Sequence, residues 1–407
     1  GWEFLPSQQL LERSPMMWQV CPVQRDLSSA VRANVTNPPA SSHNWQVNTG
    51  FAAASRDLGR EVVKIERELV HFFYPVVAGV TVLVAVIVCD KLESPQLAIP
   101  FAIGATLTPL ASTREPSPRR TFTYLWALVW ITLSVLLGSL LSRDAFAFAL
   151  IGIVVSGLYG IACGLVGRIS ANARIIGVLS LVFFAIYLGS PETRLGALES
   201  TAMVALGGFL QIVVLTLLSL RREPLSTWAI SAVTPSALQR LRDGLSWNER
   251  YVRHALRLGA AMATGTALAL FLAHTFSWPH QYWLPMTIAW ILLPDAQATT
   301  TKTASRILGT FIGVGLIAIV VGVILGAEPS LRQSAVIAGF GAFFMLAFIF
   351  ANYTATTIGI TIFAMTIFTL VDDPLNSTLP YRLALTVMAG AIALTFAQLW
   401  RDKSVPT

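Results

Sequence analysis

The chain has 407 residues, of which 55% are hydrophobic and only 12% are charged. Soluble domains carry about 25% charged residues, so this composition predicts an integral membrane protein and excludes an ordinary soluble domain. The net charge of +7 does not indicate nucleic-acid binding, because the basic residues lie between apolar segments and form no continuous stripe.

The amino-terminal part of the chain divides into two segments. Residues 1–49 are polar and rich in proline, and we expect them to be disordered. They lack the basic and apolar regions of a signal peptide. Residues 50–71 are predicted to form an amphipathic helix that leads into the membrane, because apolar side chains recur there with helical spacing. These side chains are Leu58, Val62, Ile65 and Leu69.

Twelve apolar segments follow, six in residues 72–220 and six in residues 254–400. A basic linker at 221–253 separates these halves, and residues 401–407 form a tail. Most segments approach the ~20 residues that a spanning helix needs, so we predict an all-α membrane protein with about 12 transmembrane helices. The predicted spans are 72–88, 95–110, 121–141, 145–166, 175–188, 200–220, 255–276, 282–294, 307–326, 333–351, 353–371 and 383–400.

The second half repeats a pattern of the first. A shift of 185 residues superimposes five identities within 15 positions, and both prolines are among them. The identities are Gln96 on Gln281, Pro100 on Pro285, Ile103 on Ile288, Leu107 on Leu292 and Pro109 on Pro294. Because each half has an even number of spans, both halves enter the membrane in the same orientation. The sequence therefore predicts two parallel six-helix repeats.

The distribution of Lys and Arg predicts the orientation of the chain. With both termini in the cytoplasm, the inner segments from residue 50 onward hold 20 of these residues and the outer loops hold five. The five in the outer loops are Lys91, Arg143, Arg194, Arg332 and Arg382. This asymmetry follows the positive-inside rule, so both termini are predicted to be cytoplasmic.

Residues 281–313 contain the least regular span of the chain. An apolar segment of about 14 residues is interrupted by Pro285 and ends at Pro294-Asp295, ahead of a Thr-rich run and Arg306. Fourteen residues of helix measure about 21 Å, which is short of the ~30 Å hydrocarbon core. In transporters, short proline-interrupted spans at matching positions of two halves mark the binding site, so we predict a site here.

The side chains around this span suit an aromatic carboxylate. Arg306, predicted at the start of the ninth span, offers a bidentate fork, and the free N–H groups of that helix start add positive charge. The other candidate substrate-binding residues are Trp283, Pro285 and Trp290 for an apolar wall together with Tyr282, the polar groups Asp295, Thr299, Thr301 and Thr310, and the cations Lys302, Arg119 and Arg120 at the inner mouth.

Three alternatives remain for individual residues of this site. Arg306 and Lys302 also fit plain positive-inside anchors, and Trp283 fits an interfacial aromatic residue. Asp295 fits a cap of the following turn or an ion-pair partner of Arg306. Asp295 and His254 are the candidate proton-coupling residues, with His274 as a third ionisable group close to a span.

Other chemistry is not indicated by the sequence. The cysteines Cys21, Cys89 and Cys163 are too far apart for a metal site or a disulfide framework. The chain has no phosphate-binding Gly-x-x-x-x-Gly-Lys-[Ser/Thr] loop and no catalytic Ser/His/Asp spacing. We therefore expect no cofactor, no metal and no enzymatic activity.

The order Trp283-Leu-Pro285, Pro294-Asp295, Thr299, Arg306 and Gly309-Thr310…Gly313 resembles the FUSC family of fusaric-acid-resistance and aromatic-acid-exporter type membrane proteins. The motif is sharp only in the second half, because Leu110 replaces the Asp after Pro109. The resemblance implies export of aromatic or other hydrophobic organic acids across the inner membrane, driven by the proton gradient.

Two further functions and several partners follow from the same resemblance. Plant malate channels are distantly similar, so a passive organic-anion channel is an alternative function. A non-transporting scaffold or accessory subunit is the third alternative. The expected partners are a small organic anion and the lipid bilayer, with a periplasmic adaptor protein and a second copy of the chain as further candidates and no nucleic acid.

Overall fold

The computed structural model describes residues 57–70, 72–111, 117–142, 146–190, 193–220, 250–325, 329–368 and 375–399. Within these ranges every regular element is a helix, which confirms the all-α class. The predicted disordered leader, most of the linker at 221–253 and the tail at 401–407 lie outside the described residues.

Twelve of the described helices correspond to the twelve predicted spans. The first half contains α1 (Phe73–Lys91), α2 (Ala98–Leu107), α3 (Ser117–Leu141), α4 (Phe146–Val166), α5 (Ala171–Leu188) and α6 (Arg194–Leu220). The second half contains α7 (Arg250–Phe276), α8 (Trp283–Ile291), α9 (Ala296–Ile317), α10 (Leu331–Phe348), α11 (Tyr353–Phe368) and α12 (Leu375–Gln398). A π-helical stretch, Ala318–Ile324, extends α9.

The second helix of each half is too short to cross a bilayer. Nine of the described helices are long and apolar enough for a full crossing. In contrast, α2 has 10 residues and α8 has 9. At 1.5 Å per residue they measure about 15 and 14 Å, half of the ~30 Å hydrocarbon core. The protein is a multi-span membrane protein in which matching positions carry half-length helices.

The helices pair in the same way in both halves. In the first half α2 packs on α6, α3 packs on α5 and α6, and α4 packs on α5. The equivalent helices α8, α9 and α10 repeat these contacts with α11 and α12. Three contacts cross between the halves. The short helix α8 packs on α5, and the first helix of each half crosses to the other half, α1 onto α10 and α7 onto α4. The predicted six-helix repeats therefore interlock through their first helices, and residues 58–407 form one compact unit.

Glycines allow these crossing helices to approach closely. A methyl group on Gly160 of α4 would lie 3.0 Å from the Cα atom of Gly259 on α7. One on Gly164 would lie 2.6 Å from the Cα atom of Ala255. These distances are shorter than ordinary carbon–carbon contacts, so Gly160 and Gly164, a small-xxx-small pair, allow close packing of α4 on α7.

The segment that leads into the membrane differs from one continuous helix over 50–71. Within the described residues it is helical at 57–63, irregular at 64–66 and forms a 3-10 turn at Arg67–Leu69. The amide of Asn352 donates hydrogen bonds to the carbonyls of Val62 (3.0 Å) and Lys64 (2.8 Å). Because these carbonyls bond to the start of α11, they do not continue the helix.

Candidate functional site

The short helix α8 owes its length to the residues that follow it. Pro285 is the third residue of α8, where the missing N–H removes no intrahelical hydrogen bond, so it does not interrupt the helix as the sequence suggested. Leu292 instead takes an extended backbone, with ψ at 112°. Leu293 precedes Pro294, a position that disfavours helical backbone. The half-length helix is therefore bounded by Pro294.

Helix α9 begins earlier than the sequence suggested. Asp295 is its N-cap, and its carboxylate accepts a hydrogen bond of 2.7 Å from the Ala298 N–H. The Thr-rich run after it is helical, so it does not form a separate turn. Arg306 lies ten residues after Ala296, about 15 Å along the helix. The predicted contribution of free helix-start N–H groups at Arg306 is therefore wrong.

Arg306 is fully buried, with 0% of its surface exposed. None of its three side-chain nitrogens has a hydrogen-bond partner among the described residues. Thr303 and Thr310 lie three residues before it and four after it, on the same face of α9, and their hydroxyls also lack partners there. Tyr353 of α11 lies close enough to interact with the charge of Arg306.

Arg382 is the residue that the sequence prediction misplaced. It was assigned to an outer loop, but it lies within α12 and is 0% exposed, so that assignment is wrong. Its three side-chain nitrogens also lack hydrogen-bond partners within the described residues. Its guanidinium carbon lies 4.7 Å from the ring centroid of Trp283, in cation–π geometry. The charges of Arg306 and Arg382 act on each other, and we call these two residues the arginine pair.

One signal in the sequence could have identified Arg382. The predicted final span began at residue 383, one position after it, although Leu379 and Leu385 on either side are buried. Counting Lys and Arg by loop assigns any arginine at a span boundary to water. An arginine that interrupts apolar residues close to a proline deserves consideration as a residue inside the span.

Aromatic rings cover the α12 side of the arginine pair. Trp283 is 1% exposed, so it is enclosed by protein and does not face the lipid interface. The ring of His280 stacks on it, with 4.6 Å between centroids and 18° between planes. Phe368 lies 4.8 Å from His280 and 6.0 Å from Trp283. These rings form an apolar wall beside Arg382.

A second aromatic group surrounds Lys302, one turn before Arg306 on α9. The ammonium of Lys302 lies 4.8 Å from the ring centroid of Tyr353 and 6.0 Å from that of Trp290. The structure therefore brings three basic side chains together: Lys302 and Arg306 lie one turn apart on α9, and Arg382 on α12 lies close enough to Arg306 for their charges to interact. Lys302 and Arg382 each lie against aromatic rings.

Thr299 and Arg257 hold the turn between α8 and α9. The Thr299 hydroxyl donates to the Asp295 carbonyl (2.8 Å) and accepts from the Leu293 N–H (3.0 Å). Arg257, which the sequence analysis did not single out, donates to the carbonyls of Pro294 (3.1 Å) and Ala397 (3.2 Å). These side chains position the turn and not the apolar wall.

The remaining candidate residues lie at the edges of the site or away from it. Asp295 is exposed at the start of α9, and Thr301 is half-buried in its first turns. His254 is buried in α7. The side chain of Arg119 lies outside the described part of the chain.

The first half holds its own arginine differently. Arg120 of α3 is buried, donates to the Ser219 hydroxyl (2.8 Å) and lies 5.1 Å from the ring centroid of Tyr74. At a shift of 185 residues, Ala197 stands where Arg382 would be and Ala98 where Trp283 would be. The arginine pair and its indole ring therefore belong to the second half alone.

The fold and this site define a multi-span membrane protein with a transporter-like second half. Residues 268–396 match the model of a family described as fusaric acid resistance protein-like. The matched stretch contains α8, α9 and the arginine pair. The predicted resemblance to the FUSC family is confirmed for this part of the chain.

Three relatives match about two fifths of the chain. An uncharacterized protein of Synechocystis, slr1298, is 32% identical over 153 residues, which cover 37% of this chain and 19% of the relative. An uncharacterized protein of Neisseria gonorrhoeae, ORF2, is 29% identical over 167 residues, covering 40% and 38%. The inner membrane protein YccS of Escherichia coli is 28% identical over 152 residues, covering 37% and 20%.

The chain therefore spans between 19% and 38% of the length of these relatives. No solved structure matches it.

Proposed function

We propose that this chain exports aromatic or other hydrophobic organic acids across the inner membrane. One observation carries the proposal: Arg306 and Arg382 are fully buried, Arg382 lies beside Trp283, and their nitrogens make no hydrogen bond of ordinary geometry with the described residues. A buried charge is stable only when it is paired, and a carboxylate pairs with guanidinium through two parallel hydrogen bonds. The indole face suits the aromatic part of the same ligand.

The direction and the location of transport rest on the family and on charge. The matched family is described by resistance to fusaric acid, an aromatic acid, and YccS is named as an inner membrane protein. Moving the arginine pair into spans removes one residue from each side of the Lys and Arg count, so the asymmetry persists. It supports the proposal that both termini are cytoplasmic.

Proton coupling and partners are further parts of the proposal. Asp295, exposed at the start of α9, and His254, buried in α7, are the proposed proton-coupling residues. A periplasmic adaptor protein and a second copy of the chain are proposed partners. The chain is proposed to have no enzymatic role and to need no cofactor or metal.

Intracellular accumulation of radiolabelled 1-naphthoate tests the proposed export. Cells that make the chain should retain less of the acid than cells without it. Arg306→Gln and Arg382→Gln should each restore retention, because each removes a cation that pairs with the carboxylate. The matched control is Arg332→Gln, since Arg332 is exposed at the start of α10, and it should behave like the unmodified chain.

Three outcomes would contradict the proposal. Equal retention with and without the chain across a panel of aromatic acids would reject export. Efflux that follows the acid gradient, ignores uncouplers and needs no anion on the opposite side would indicate a passive channel. If Arg306→Gln leaves every phenotype intact, a scaffold or accessory subunit is the better description.

A further inference from the structure

Among the described residues, the arginine pair faces no carboxylate. Within the described part of the chain, the groups that interact electrostatically with Arg382 are Arg306, Tyr282 and Tyr353, and none of them is a carboxylate. The guanidinium groups of Arg306 and Arg382 repel each other, and neither is exposed to solvent. The described residues therefore supply no neutralising charge to the arginine pair, and a bound anion would supply one.

Arginine does not escape this situation by losing its proton. Its guanidinium stays ionised in proteins, whereas the ammonium of a buried lysine becomes neutral far more readily. A proton delivered to a nearby group adds positive charge and leaves the arginine pair uncompensated. An anion is thus the species whose binding stabilises the conformation that encloses Arg306 and Arg382.

This enclosed conformation is also the one through which a carrier must pass. Alternating access moves a fixed site from one side of the membrane to the other, and the site closes to both sides on the way. When the arginine pair binds an anion, closure covers a neutral complex. Without an anion, the same closure buries two unpaired like charges, which slows the return of the unloaded carrier.

We propose that the chain is an obligatory anion exchanger, in which each outward step with an organic acid is followed by an inward step with another anion on the arginine pair. The inference deepens the export activity proposed above and rests on it. The returning species is a small carboxylate or another anion that guanidinium groups bind.

Reconstituted vesicles test exchange directly. The full chain is placed in vesicles at pH 7.5 with equal potassium on both sides and valinomycin, which prevents a membrane potential from opposing net anion flux. Uptake of radiolabelled 1-naphthoate is compared between vesicles loaded with unlabelled 1-naphthoate and vesicles loaded with buffer only, after subtraction of uptake into protein-free vesicles. Loaded vesicles should take up label at least about tenfold faster. A factor of ten corresponds to about 1.4 kcal/mol between closure of the empty site and closure of the loaded site.

Two variants assign the effect to the charge. Arg382→Gln should lower total uptake, and the residual uptake above that of protein-free vesicles should show a ratio between loaded and unloaded vesicles close to one, because a single remaining cation is easier to enclose without an anion. Arg306→Gln should do the same, which gives a second variant if the first folds poorly. Arg332→Gln should keep the ratio of the unmodified chain.

The decisive comparison uses the unmodified chain, so it does not depend on how the variants fold. Equal uptake into loaded and unloaded vesicles under the potassium clamp would overturn exchange and leave the proposed export standing. Uptake no faster than in protein-free vesicles under both conditions would instead overturn the proposed export of this acid. A loaded-vesicle advantage that persists unchanged in both Arg382→Gln and Arg306→Gln would remove the arginine pair from the explanation.

Discussion

Arg306 and Arg382 each carry a charge into the interior of a helix bundle, and neither guanidinium hydrogen-bonds to a described residue. Replacing buried charges by apolar side chains of similar volume is often stabilising by about 1–4 kcal/mol, because the cost of removing the charge from water disappears. The two arginines that are proposed to bind the ligand therefore lower the free energy of unfolding of the ligand-free protein.

Arg382→Met is expected to raise the free energy of unfolding by about 1–4 kcal/mol and to abolish stabilisation by ligand. Thermal unfolding in detergent, with and without 1-naphthoate, measures both effects. The unmodified chain should gain stability from the acid, since a ligand that binds only the folded state shifts unfolding. The matched control is Arg332→Met at an exposed site. A lower midpoint for Arg382→Met at normal ligand response would contradict the assignment.

Thr299→Val is expected to lower the free energy of unfolding by about 1–3 kcal/mol, because the Leu293 N–H loses its acceptor and the two shapes are nearly the same. Thr300→Val is the matched control, since its hydroxyl donates only to the Ala296 carbonyl one turn earlier in α9. Chemical or thermal unfolding of both variants measures the difference. Equal effects would show that Thr299 does not hold the turn at Pro294.

Single residues of the site were partly predictable. Arg306 and Trp283 stand in a recognisable order of residues. In the structure Trp283 lies against Arg382, and Arg306 interacts with Arg382 and Tyr353. Arg382 was missed because sequence proximity does not show that α12 packs against α8 and α9. Thr299 was predicted as a hydroxyl donor to substrate, but its hydrogen bonds are with the backbone of the turn.

At the scale of helices, α9 and α11 approach so closely that their contact leaves no room for side chains. A methyl group on Gly309 would lie 2.5 Å from the Thr354 carbonyl oxygen, and one on Gly313 would lie 2.7 Å from the Thr361 Cβ atom. Gly309 and Gly313 form a small-xxx-small pair that allows this close packing. The contact fixes the distance between Arg306 on α9 and the first turn of α11.

Gly309→Ala is expected to destabilise the protein by about 1–3 kcal/mol, because the added methyl group forces α9 and α11 apart. It should also reduce 1-naphthoate binding, since Tyr353 moves with α11. Gly315→Ala lies on the same helix with no atom within 4 Å of the added group. That control should be neutral or stabilising by up to about 1 kcal/mol. Equal stability of the two variants would contradict close packing at Gly309.

Some helices could be predicted from local signals and others could not. The prolines indicated the half-length helices α2 and α8. The threonines after Asp295 suggested a turn, because threonine competes with helical hydrogen bonding. In the structure the hydroxyls of Thr299 and Thr300 donate to the carbonyls of Asp295 (2.8 Å) and Ala296 (3.0 Å), four residues earlier, so the helix continues. The break at 64–66 depends on Asn352, which is distant in sequence.

For the whole molecule, the main feature is that the first helix of each half packs on the other half. The repeat itself was visible as a shift of 185 residues. That α1 packs on α10 and α7 on α4 was not, because a repeat in sequence does not state which half covers which face. Both crossing contacts are lined by small residues, including Gly79 against Gly339.

A chain divided between residues 235 and 236 is expected to assemble when both pieces are made in the same cell. Each piece alone leaves a small-residue face of α4 or α10 without its partner helix, so each should be degraded. Copurification through a tag on one piece and recovery of 1-naphthoate export measure assembly. A division between Pro294 and Asp295 is the control and should fail, because it cuts the turn held by Thr299 and Arg257. Stable folding of the second piece alone would contradict the interlocked arrangement.

Asn352 connects residues 62–64 to the end of α11 that lies beside Lys302. The same side chain that fastens the backbone of Val62 and Lys64 stands immediately before Tyr353, the ring under the ammonium of Lys302. A tilt of α11 that keeps these hydrogen bonds would also move residues 62–64, and a movement of residues 62–64 would shift the ring of Tyr353. Loss of the Asn352 hydrogen bonds would allow α11 and residues 62–64 to move independently of each other.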